Sequence, residues 1–316
     1  MVANDQFFQR PKPAAVLKHA VLREYLTVFT AMVGSTANGP VWLLDGYAGP
    51  GYYEAEAGDD PMPGSPVVAL EVAQKWGHKR DLRCVFIEKS PKHALSLEAN
   101  VRPFVEEGLT AEVLQGQVQD KFANAWSLID GGPVLTFLDP FGVGMDRSIM
   151  TDNLLEQKRP EPSEVLLNIN VEAVSRLGGW LESVDGVVCP KSDIHSAAGV
   201  ERVDRFLGGE EWRTEFFHAR ANGNAAEAAE SVVRAYCARI EEETGFKSIS
   251  IPVVRRPNNP VLFLLTLFFT SPAAGYKFAD AAARATRKWR DVYRQVELED
   301  RLTNVATRMR CSMLRR

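Results

Sequence analysis

The sequence lacks the features that mark membrane, secreted and metal-binding proteins. Its longest apolar stretch, Val261 to Phe269, is far shorter than the ~20 residues that cross a bilayer. The first ten residues have neither the basic start nor the apolar run of a secretory signal. The four cysteines are too widely scattered for a zinc or redox motif, so reduced thiols and no metal site are expected. We therefore expect a cytoplasmic protein without a membrane span.

A large excess of either charge is missing as well. The 316 residues include 37 basic and 41 acidic ones, a net charge of −4, which argues against broad non-specific binding to nucleic acid. With 45% hydrophobic and 25% charged residues, the composition excludes a disordered or low-complexity chain. The length suits one large globular domain or two ordinary ones.

Short apolar segments alternate with helical patterns along the first half of the chain. Strands are predicted at Val41–Asp45, Arg83–Glu88, Ala111–Gln115, Val134–Asp139 and Val165–Asn170. Helices are predicted at Gly64–Gly77, Pro91–Gly108, Val118–Asp130 and Asp146–Lys158. Because the strand segments are nearly all apolar, they predict a parallel sheet covered on both faces. The fold class is therefore α/β, doubly wound and Rossmann-like.

The ends of the chain add helices and an antiparallel pair. A leading helix is predicted within residues 1–34, a helical section over 171–247 and a basic helical tail over 276–316. The last two strand candidates, within 248–270, are joined by a Pro- and Asn-rich turn and should pair as a hairpin. Five parallel strands and such a hairpin make up the sheet of class I S-adenosylmethionine-dependent methyltransferases, although other doubly wound enzymes carry antiparallel edge strands too. We expect a single domain over 1–316, with 41–170 as its cofactor-binding half.

The first strand candidate ends in an acid and continues into a glycine-containing turn. In doubly wound sheets this is where a nucleotide-like ligand approaches the backbone, and glycines leave room for it. The turn lacks the first glycine of the dinucleotide fingerprint, which argues against a nicotinamide dehydrogenase. An ordinary strand-to-helix turn is the alternative. The candidate cofactor-binding residues of this turn are Asp45, Gly46, Gly49 and Gly51.

The second strand candidate ends in Glu88, at the same predicted edge of the sheet. A carboxylate there can accept hydrogen bonds from both ribose hydroxyls of an adenosine ligand. The interval between the turn and Glu88 exceeds the usual ~20 residues because of an insertion, Tyr52–Pro63, which could form a lid or a solvated loop. After the third strand candidate, Gln117 or Asp120 could meet an adenine or simply cap the next helix.

The fourth strand candidate ends in the segment Asp139-Pro140-Phe141-Gly142. The proline stiffens the strand exit, and an aromatic ring follows the acid by two residues. This arrangement suits enzymes that alkylate an exocyclic base nitrogen, in which the acid orients the amine and the ring stacks on a base taken out of its helix. Asp139, Pro140 and Phe141 are the candidate catalytic residues, with an ordinary turn as the alternative.

Basic side chains surround a tryptophan on the predicted C-terminal helix. Basic groups beside an aromatic ring suit contact with nucleic acid, yet the same pattern is common on a solvated helix whose tryptophan packs in the core. The candidate substrate or partner contacts are Arg287, Lys288, Trp289 and Arg290.

Several of these motifs occur in one order that resembles the three-Cys-motif partner protein family (TcmP). The matching segments are Lys18-His19-x-x-Leu22-x-x-Tyr25-Leu26, Asp45–Gly51, Gly64-Ser65-Pro66, Phe86–Lys89 and Phe137–Gly142, within about Lys18 to Thr270. The resemblance implies a class I methyltransferase-like fold and a radical-SAM-like partner that carries the cysteine motif. The Asp139–Gly142 segment is also similar to that of tRNA guanosine N2-dimethyltransferases, and it departs from the Asp-Pro-Pro-Tyr form of base amino-methyltransferases.

The methyltransferase interpretation gives each candidate residue a role. It assigns Asp45, Gly49 and Gly51 to the methionine part of S-adenosylmethionine, Glu88 to the ribose, Gln117 or Asp120 to the adenine, and Asp139 with Phe141 to the acceptor. The sequence thus favours an S-adenosylmethionine-dependent N-methyltransferase acting on a nucleobase in RNA or DNA. The alternative is a non-catalytic Rossmann-like accessory protein that partners a radical-SAM-like three-Cys-motif protein.

Overall fold

The computed structural model describes residues 13–36, 39–54, 61–156, 159–254 and 259–313. A seven-stranded sheet forms its centre, with strands β1 (Val41–Asp45), β2 (Leu82–Glu88), β3 (Ala111–Gln115), β4 (Val134–Leu138), β5 (Ser163–Asn170), β8 (Lys247–Val254) and β9 (Val261–Phe269). The helices are α1 (Pro13–Thr36), α2 (Ser65–Trp76), α3 (Pro91–Glu106), α4 (Val118–Leu128), α5 (Arg147–Met150), α6 (Val171–Gly178), α7 (Ile194–Leu207), α8 (Glu211–Asn222), α9 (Ala225–Thr244) and α10 (Pro272–Met313).

The strand order of the sheet is β3-β2-β1-β4-β5-β9-β8. Strands β1 to β5 run parallel to one another, and β9 pairs antiparallel with both β5 and β8. The predicted doubly wound sheet with its C-terminal antiparallel pair is therefore confirmed. Because the order reverses between β1 and β4, the ligand crevice of such a sheet is expected at the carboxyl ends of these two strands.

Hydrophobic burial on both faces holds the sheet between two layers of helices. Every residue of β1 and β4 is buried, as expected for central strands of a parallel sheet. One face packs against α4, α6, α7, α8 and α9, and the other packs against α1, α2, α3 and α10. A hydrophobic core on each face thus holds the carboxyl ends of the strands in place.

The leading helix and the C-terminal helix pack against each other on one face. The ring edge of Phe278 meets the Tyr25 ring, with centroids 5.2 Å apart. The Glu24 carboxylate accepts hydrogen bonds from Arg284 Nε at 3.1 Å and from Lys288 Nζ at 2.6 Å. Apolar and ionic contacts therefore both anchor α1.

Two regions that were predicted to be helical contain other elements in the structure. Residues 171–247 also contain a hairpin of two four-residue strands, β6 (Leu181–Val184) and β7 (Val187–Pro190). Its central residues Asp185 and Gly186 have φ values of 51° and 81°, the conformation that an Asp-Gly turn favours. Such short strands carry too little alternation to be distinguished from a helix by periodicity.

The helix predicted over 146–158 is also interrupted. It consists of α5 followed by a π-helical turn, Thr151–Leu155, while residues 157–158 lie outside the described chain. The predicted turn between β8 and β9 falls partly on residues 255–258, which are likewise outside it. Within the described residues, no helix has the length and hydropathy of a membrane span, and no cluster of His, Cys, Asp and Glu has the composition of a metal site.

Candidate functional site

A cavity of about 340 Å³ opens at the carboxyl ends of β1 and β2. We call it the cofactor cavity, after the role that the sequence predicts for residues in its lining. It is lined by Gly46, Tyr47, Gly49, Glu88, Lys89, Gly116, Gln117, Val118, Gln119, Phe141 and Gly144. Four of the predicted cofactor-binding residues thus lie together at the switch point of the sheet: Gly46, Gly49, Glu88 and Gln117.

Two glycines of the first turn shape the wall of this cavity. A Cβ atom on Gly46 would lie 2.8 Å from Leu138 Cδ2, closer than packed side chains allow. Gly49 has φ 68°, a conformation that costs most other residues about 1 kcal/mol. The turn therefore requires glycine at both positions for its own geometry.

The Glu88 carboxylate is held in place by backbone amides. Its Oε2 accepts a hydrogen bond from the Gly49 amide at 2.8 Å, and its Oε1 accepts one from the Ser90 amide at 2.6 Å. The residue is 8% exposed, and it lines the cavity. Each carboxylate oxygen retains a second lone pair, so Glu88 can accept hydrogen bonds from hydroxyl groups of a ligand while it fixes the turn.

A second, narrower cavity of about 100 Å³ adjoins the first. We call it the acceptor cavity, after the role that the sequence predicts for Asp139 and Phe141. Its polar lining consists of Lys18, His19, Ser65, Asp139, Asn168 and Asn170, and its aromatic lining consists of Tyr47, Tyr52, Tyr53, Phe141 and Phe263. Gly51 and Pro140 also line this cavity. Tyr47 and Phe141 line both cavities and so lie where the two meet.

Both oxygens of Asp139 are bound by side chains from other elements. Lys18 of α1 donates from its ammonium group to Oδ2, and Asn168 of β5 donates from Nδ2 to Oδ1 at 2.7 Å. Lys18 and Asn168 are each 3% exposed. The Asp139 side chain is 19% exposed and faces a cavity, which leaves its remaining lone pairs available to a ligand.

His19 brings a neutral imidazole to the same cavity. Burial, and to a smaller extent the neighbouring Lys18 cation, lower its pKa to about 3. The imidazole lies beside the Tyr53 ring, with centroids 5.7 Å apart. At neutral pH the Lys18–Asp139 pair therefore supplies the formal charges of this wall, and those charges balance.

Asp45 differs from its predicted role because it lines neither cavity. It is fully buried, and its Oδ1 accepts a hydrogen bond from the Tyr47 amide at 3.0 Å. Burial raises its pKa to about 7, although hydrogen bonds from Ser65 and Tyr47 act in the opposite direction. Asp45 thus supports the turn that carries Tyr47.

The two residues predicted to meet the adenine differ in position. Asp120 is exposed in the first turn of α4 and lines neither cavity, so its assignment to the adenine lacks support in this geometry. Gln117, which does line the cofactor cavity, makes no side-chain cap to that helix.

The predicted basic contact region is only partly at the surface. Trp289 is 7% exposed and packs in the core beneath α10, so its prediction as a contact residue is corrected. Lys288 is exposed, and its ammonium group pairs with Glu24. Arg287 and Arg290 are exposed on α10. The ring is buried because α10 turns this face toward α1 and the sheet.

Sequence patterns alone did not assign several residues that the structure brings to the site. Lys18 reaches Asp139 across 121 residues of chain, and Lys89 and Gln119 join the cofactor cavity. A usable signal exists for Asn168 and Asn170, since alternate residues of β5 lie on the same face of the sheet. No local pattern predicts the contact between Lys18 and Asp139, because this contact depends on how α1 packs against the sheet.

The comparisons with known proteins yield structural similarity alone. No protein-family model and no curated protein matches the chain. A Legionella pneumophila protein assigned to DUF519 is similar at 11% identity, with 83% of this chain and 87% of that chain covered and a TM-score of 0.44. An O-methyltransferase from Bacillus cereus in complex with SAH is similar at 14% identity, with 78% and 80% covered and a TM-score of 0.42. An RNA methyltransferase from Salinibacter ruber in complex with S-adenosyl-L-homocysteine shares 15% identity over 53% of this chain and 92% of that chain, with a TM-score of 0.28.

Proposed function

We propose that this protein is an S-adenosylmethionine-dependent methyltransferase that methylates a nitrogen atom of a nucleobase in RNA or DNA. The proposal depends on one observation: two cavities adjoin at the switch point of the sheet and share Tyr47 and Phe141. Methyl transfer needs such a pair, one site for the donor and one for the acceptor, with the reacting atoms aligned between them.

The cofactor cavity has the groups that an adenosine ligand requires. Glu88 offers carboxylate lone pairs for the ribose hydroxyls, and Gly46 and Gly49 let the ligand approach the backbone closely. Gln117 and Gln119 add amide groups at the far side, suited to the polar edge of an adenine. When bound, S-adenosylmethionine would supply a methyl group that is already activated on its sulfonium.

The acceptor cavity suits a flat group with a neutral nitrogen. Aromatic rings line it, and Phe141, which is 48% exposed, is the ring on which a base could stack where the two cavities meet. Asp139 can accept a hydrogen bond from an amino group and so turn the nitrogen lone pair toward the methyl carbon. A cofactor held in the neighbouring cavity would supply the methyl group to this nitrogen and leave as the neutral thioether, and the nitrogen would lose one proton to water.

Calorimetric titration with S-adenosylmethionine and S-adenosylhomocysteine tests the cofactor assignment. We expect micromolar binding to the wild-type protein and an affinity at least tenfold lower in Glu88→Gln, because a hydrogen bond to a charged group contributes roughly 1.5–3 kcal/mol. Glu98→Gln, at an exposed position on α3, is the matched control and should bind normally. If wild-type protein binds neither ligand, the methyltransferase proposal fails, and capture of a radical-SAM-like partner becomes the next experiment.

Transfer of labelled methyl groups to tRNA, rRNA and DNA tests the acceptor assignment. We expect label in one of these polymers and a decrease of about a hundredfold or more in Asp139→Ala, since a misplaced acceptor can cost about that factor in rate. Asp152→Ala, at an exposed position in the π-helical turn, serves as the control. Cofactor binding without label in any polymer would contradict the nucleobase assignment and leave the methyltransferase assignment standing.

A further inference from the structure

The leading helix contributes a buried cation to the acceptor cavity. Lys18 lies in α1, outside the sheet, and its ammonium group contacts Asp139 at the end of β4. The lysine side chain is 4% exposed and the aspartate side chain 19% exposed. A buried charge without a partner is strongly destabilising, so each member of this pair needs the other.

Asn168 completes the arrangement around Asp139. Its amide nitrogen holds Oδ1 at 2.7 Å while Lys18 holds Oδ2. A carboxylate bound at both oxygens has one orientation, and its remaining lone pairs have fixed directions. Such a carboxylate is well placed to orient a ligand.

The field of Asp139 reaches the boundary between the cavities. Burial is the main cause that raises the pKa of Tyr47, and the Asp139 charge raises it further. Asp139 and Lys18 act on the pKa of Asp45 with opposite signs. A change of charge at the Lys18–Asp139 pair should therefore alter the affinity for a cation in the cofactor cavity, whose wall includes Tyr47.

We propose that Lys18 is a positioning residue of the acceptor cavity, which fixes the Asp139 carboxylate and cancels its charge beside the cofactor sulfonium. Asp139 then orients a neutral acceptor nitrogen, and the pair adds no net attraction for the cationic cofactor over its neutral product. This inference rests on the proposed function. It implies that the orientation of Asp139 depends on α1 as well as on the sheet.

The affinity ratio of S-adenosylmethionine to S-adenosylhomocysteine tests the inference without any acceptor. The two ligands differ by one positive charge at sulfur, so their ratio reports the local charge. In Lys18→Met the unbalanced carboxylate should favour the cation by about three- to tenfold, and in Asp139→Asn the unbalanced lysine should disfavour it by about as much. In the double variant the ratio should return to within about twofold of wild type.

Matched variants separate charge from packing. Arg23→Met removes a cation from the same helix, where it pairs with Glu71 outside the cavities, and should leave the ratio unchanged. Lys18→Arg retains the charge and should keep the wild-type ratio. If Lys18→Met does not fold, as judged by circular dichroism and thermal melting, Lys18→Gln retains a hydrogen-bond donor without the charge and takes its place.

The outcomes distinguish the two proposals. A constant ratio in the folded Lys18 and Asp139 variants would overturn the inference while the cofactor assignment stands, because a merely structural pair would change both affinities together. If wild-type protein binds neither ligand, the proposed function fails and the inference fails with it. Opposite changes in the two single variants, cancelled in the double variant, would support the role of Lys18.

Discussion

The hydroxyl of Tyr25 donates a hydrogen bond to Glu164 Oε2 at 2.5 Å and so joins the leading helix to the second residue of β5. Both side chains are buried. Burial raises the pKa of Glu164 to about 7, while the bond from Tyr25 acts in the opposite direction. The joint that anchors α1 therefore contains a carboxyl group that is easier to protonate in the folded protein than in the unfolded chain.

This joint predicts a pH dependence of stability. A carboxyl whose pKa is higher when folded makes the protein less stable as pH rises from about 4.5 to about 7. Glu164→Gln removes that contribution, on the order of 3 kcal/mol at most. Urea unfolding of both proteins at pH 5 and pH 8 should show that the variant gains stability relative to wild type at the higher pH. An equal difference at both pH values would contradict the buried-carboxyl assignment.

The C-terminal helix offers a test of its buried and exposed positions. Trp289→Ala should lower the free energy of unfolding by about 3 kcal/mol, because the ring packs in the core. Arg287→Ala should change it by less than about 0.5 kcal/mol, since the side chain is exposed. Thermal or urea unfolding measures both. Comparable losses in the two variants would mean that α10 presents a different face to the protein.

The same helix tests the predicted contact with nucleic acid. A double charge reversal, Arg287→Glu with Arg290→Glu, should weaken binding to tRNA and reduce its salt dependence if these arginines contact phosphates. Lys288 is left unchanged because it pairs with Glu24. Fluorescence anisotropy with labelled tRNA at two salt concentrations measures the effect. Unchanged affinity would remove α10 from the substrate-binding surface.

The sheet was predictable because its strands are apolar throughout and each ends at a polar or turn residue. That pattern predicts Asp45, Glu88 and Asp139 at one edge of the sheet. Parallel strands align their carboxyl ends, so acids that end consecutive strands are brought together by topology. The depth of each acid was not predictable, and Asp45 is buried beneath the turn while Glu88 reaches the cavity.

Contacts that depend on docked helices were beyond the sequence pattern. The pair of Lys18 and Asp139 requires the orientation of α1 over the sheet, which many distant packing contacts determine. The burial of Trp289 likewise depends on which side of α10 meets α1. The hairpin β6–β7 was missed for another reason, since strands of four residues are too short for a periodic signal.

Glycine substitutions can separate backbone strain from ligand approach. Gly49 and Gly131 have nearly the same left-handed conformation, with φ values of 68° and 66°. Gly131 has no neighbour within 4 Å of an added Cβ and lines neither cavity. Alanine at each position should cost about 1 kcal/mol of stability from strain. Only Gly49→Ala should also weaken S-adenosylmethionine binding, because Gly49 lines the cofactor cavity and an added Cβ atom there would occupy space at its wall.

Calorimetry and thermal melting of the two alanine variants provide the check. Equal loss of ligand affinity in both would show that strain transmitted through the fold explains the effect. Normal affinity in Gly49→Ala would show that the first turn does not determine the cofactor cavity.

Phe141 is the residue at which stacking on a base can be tested with little effect on folding. Its ring is 48% exposed, so Phe141→Leu should change the free energy of unfolding by less than about 0.5 kcal/mol. Methyl transfer to the polymer acceptor should decrease by roughly ten- to a hundredfold, since stacking of a base on an aromatic ring contributes about 1–3 kcal/mol. Phe141→Tyr keeps an aromatic face and should retain most of the rate. Leu95→Ala removes another exposed apolar side chain, one that lines neither cavity, and should leave the rate unchanged. A leucine variant as active as the tyrosine variant would show that the acceptor does not stack on this ring, because leucine lacks the aromatic face that tyrosine retains.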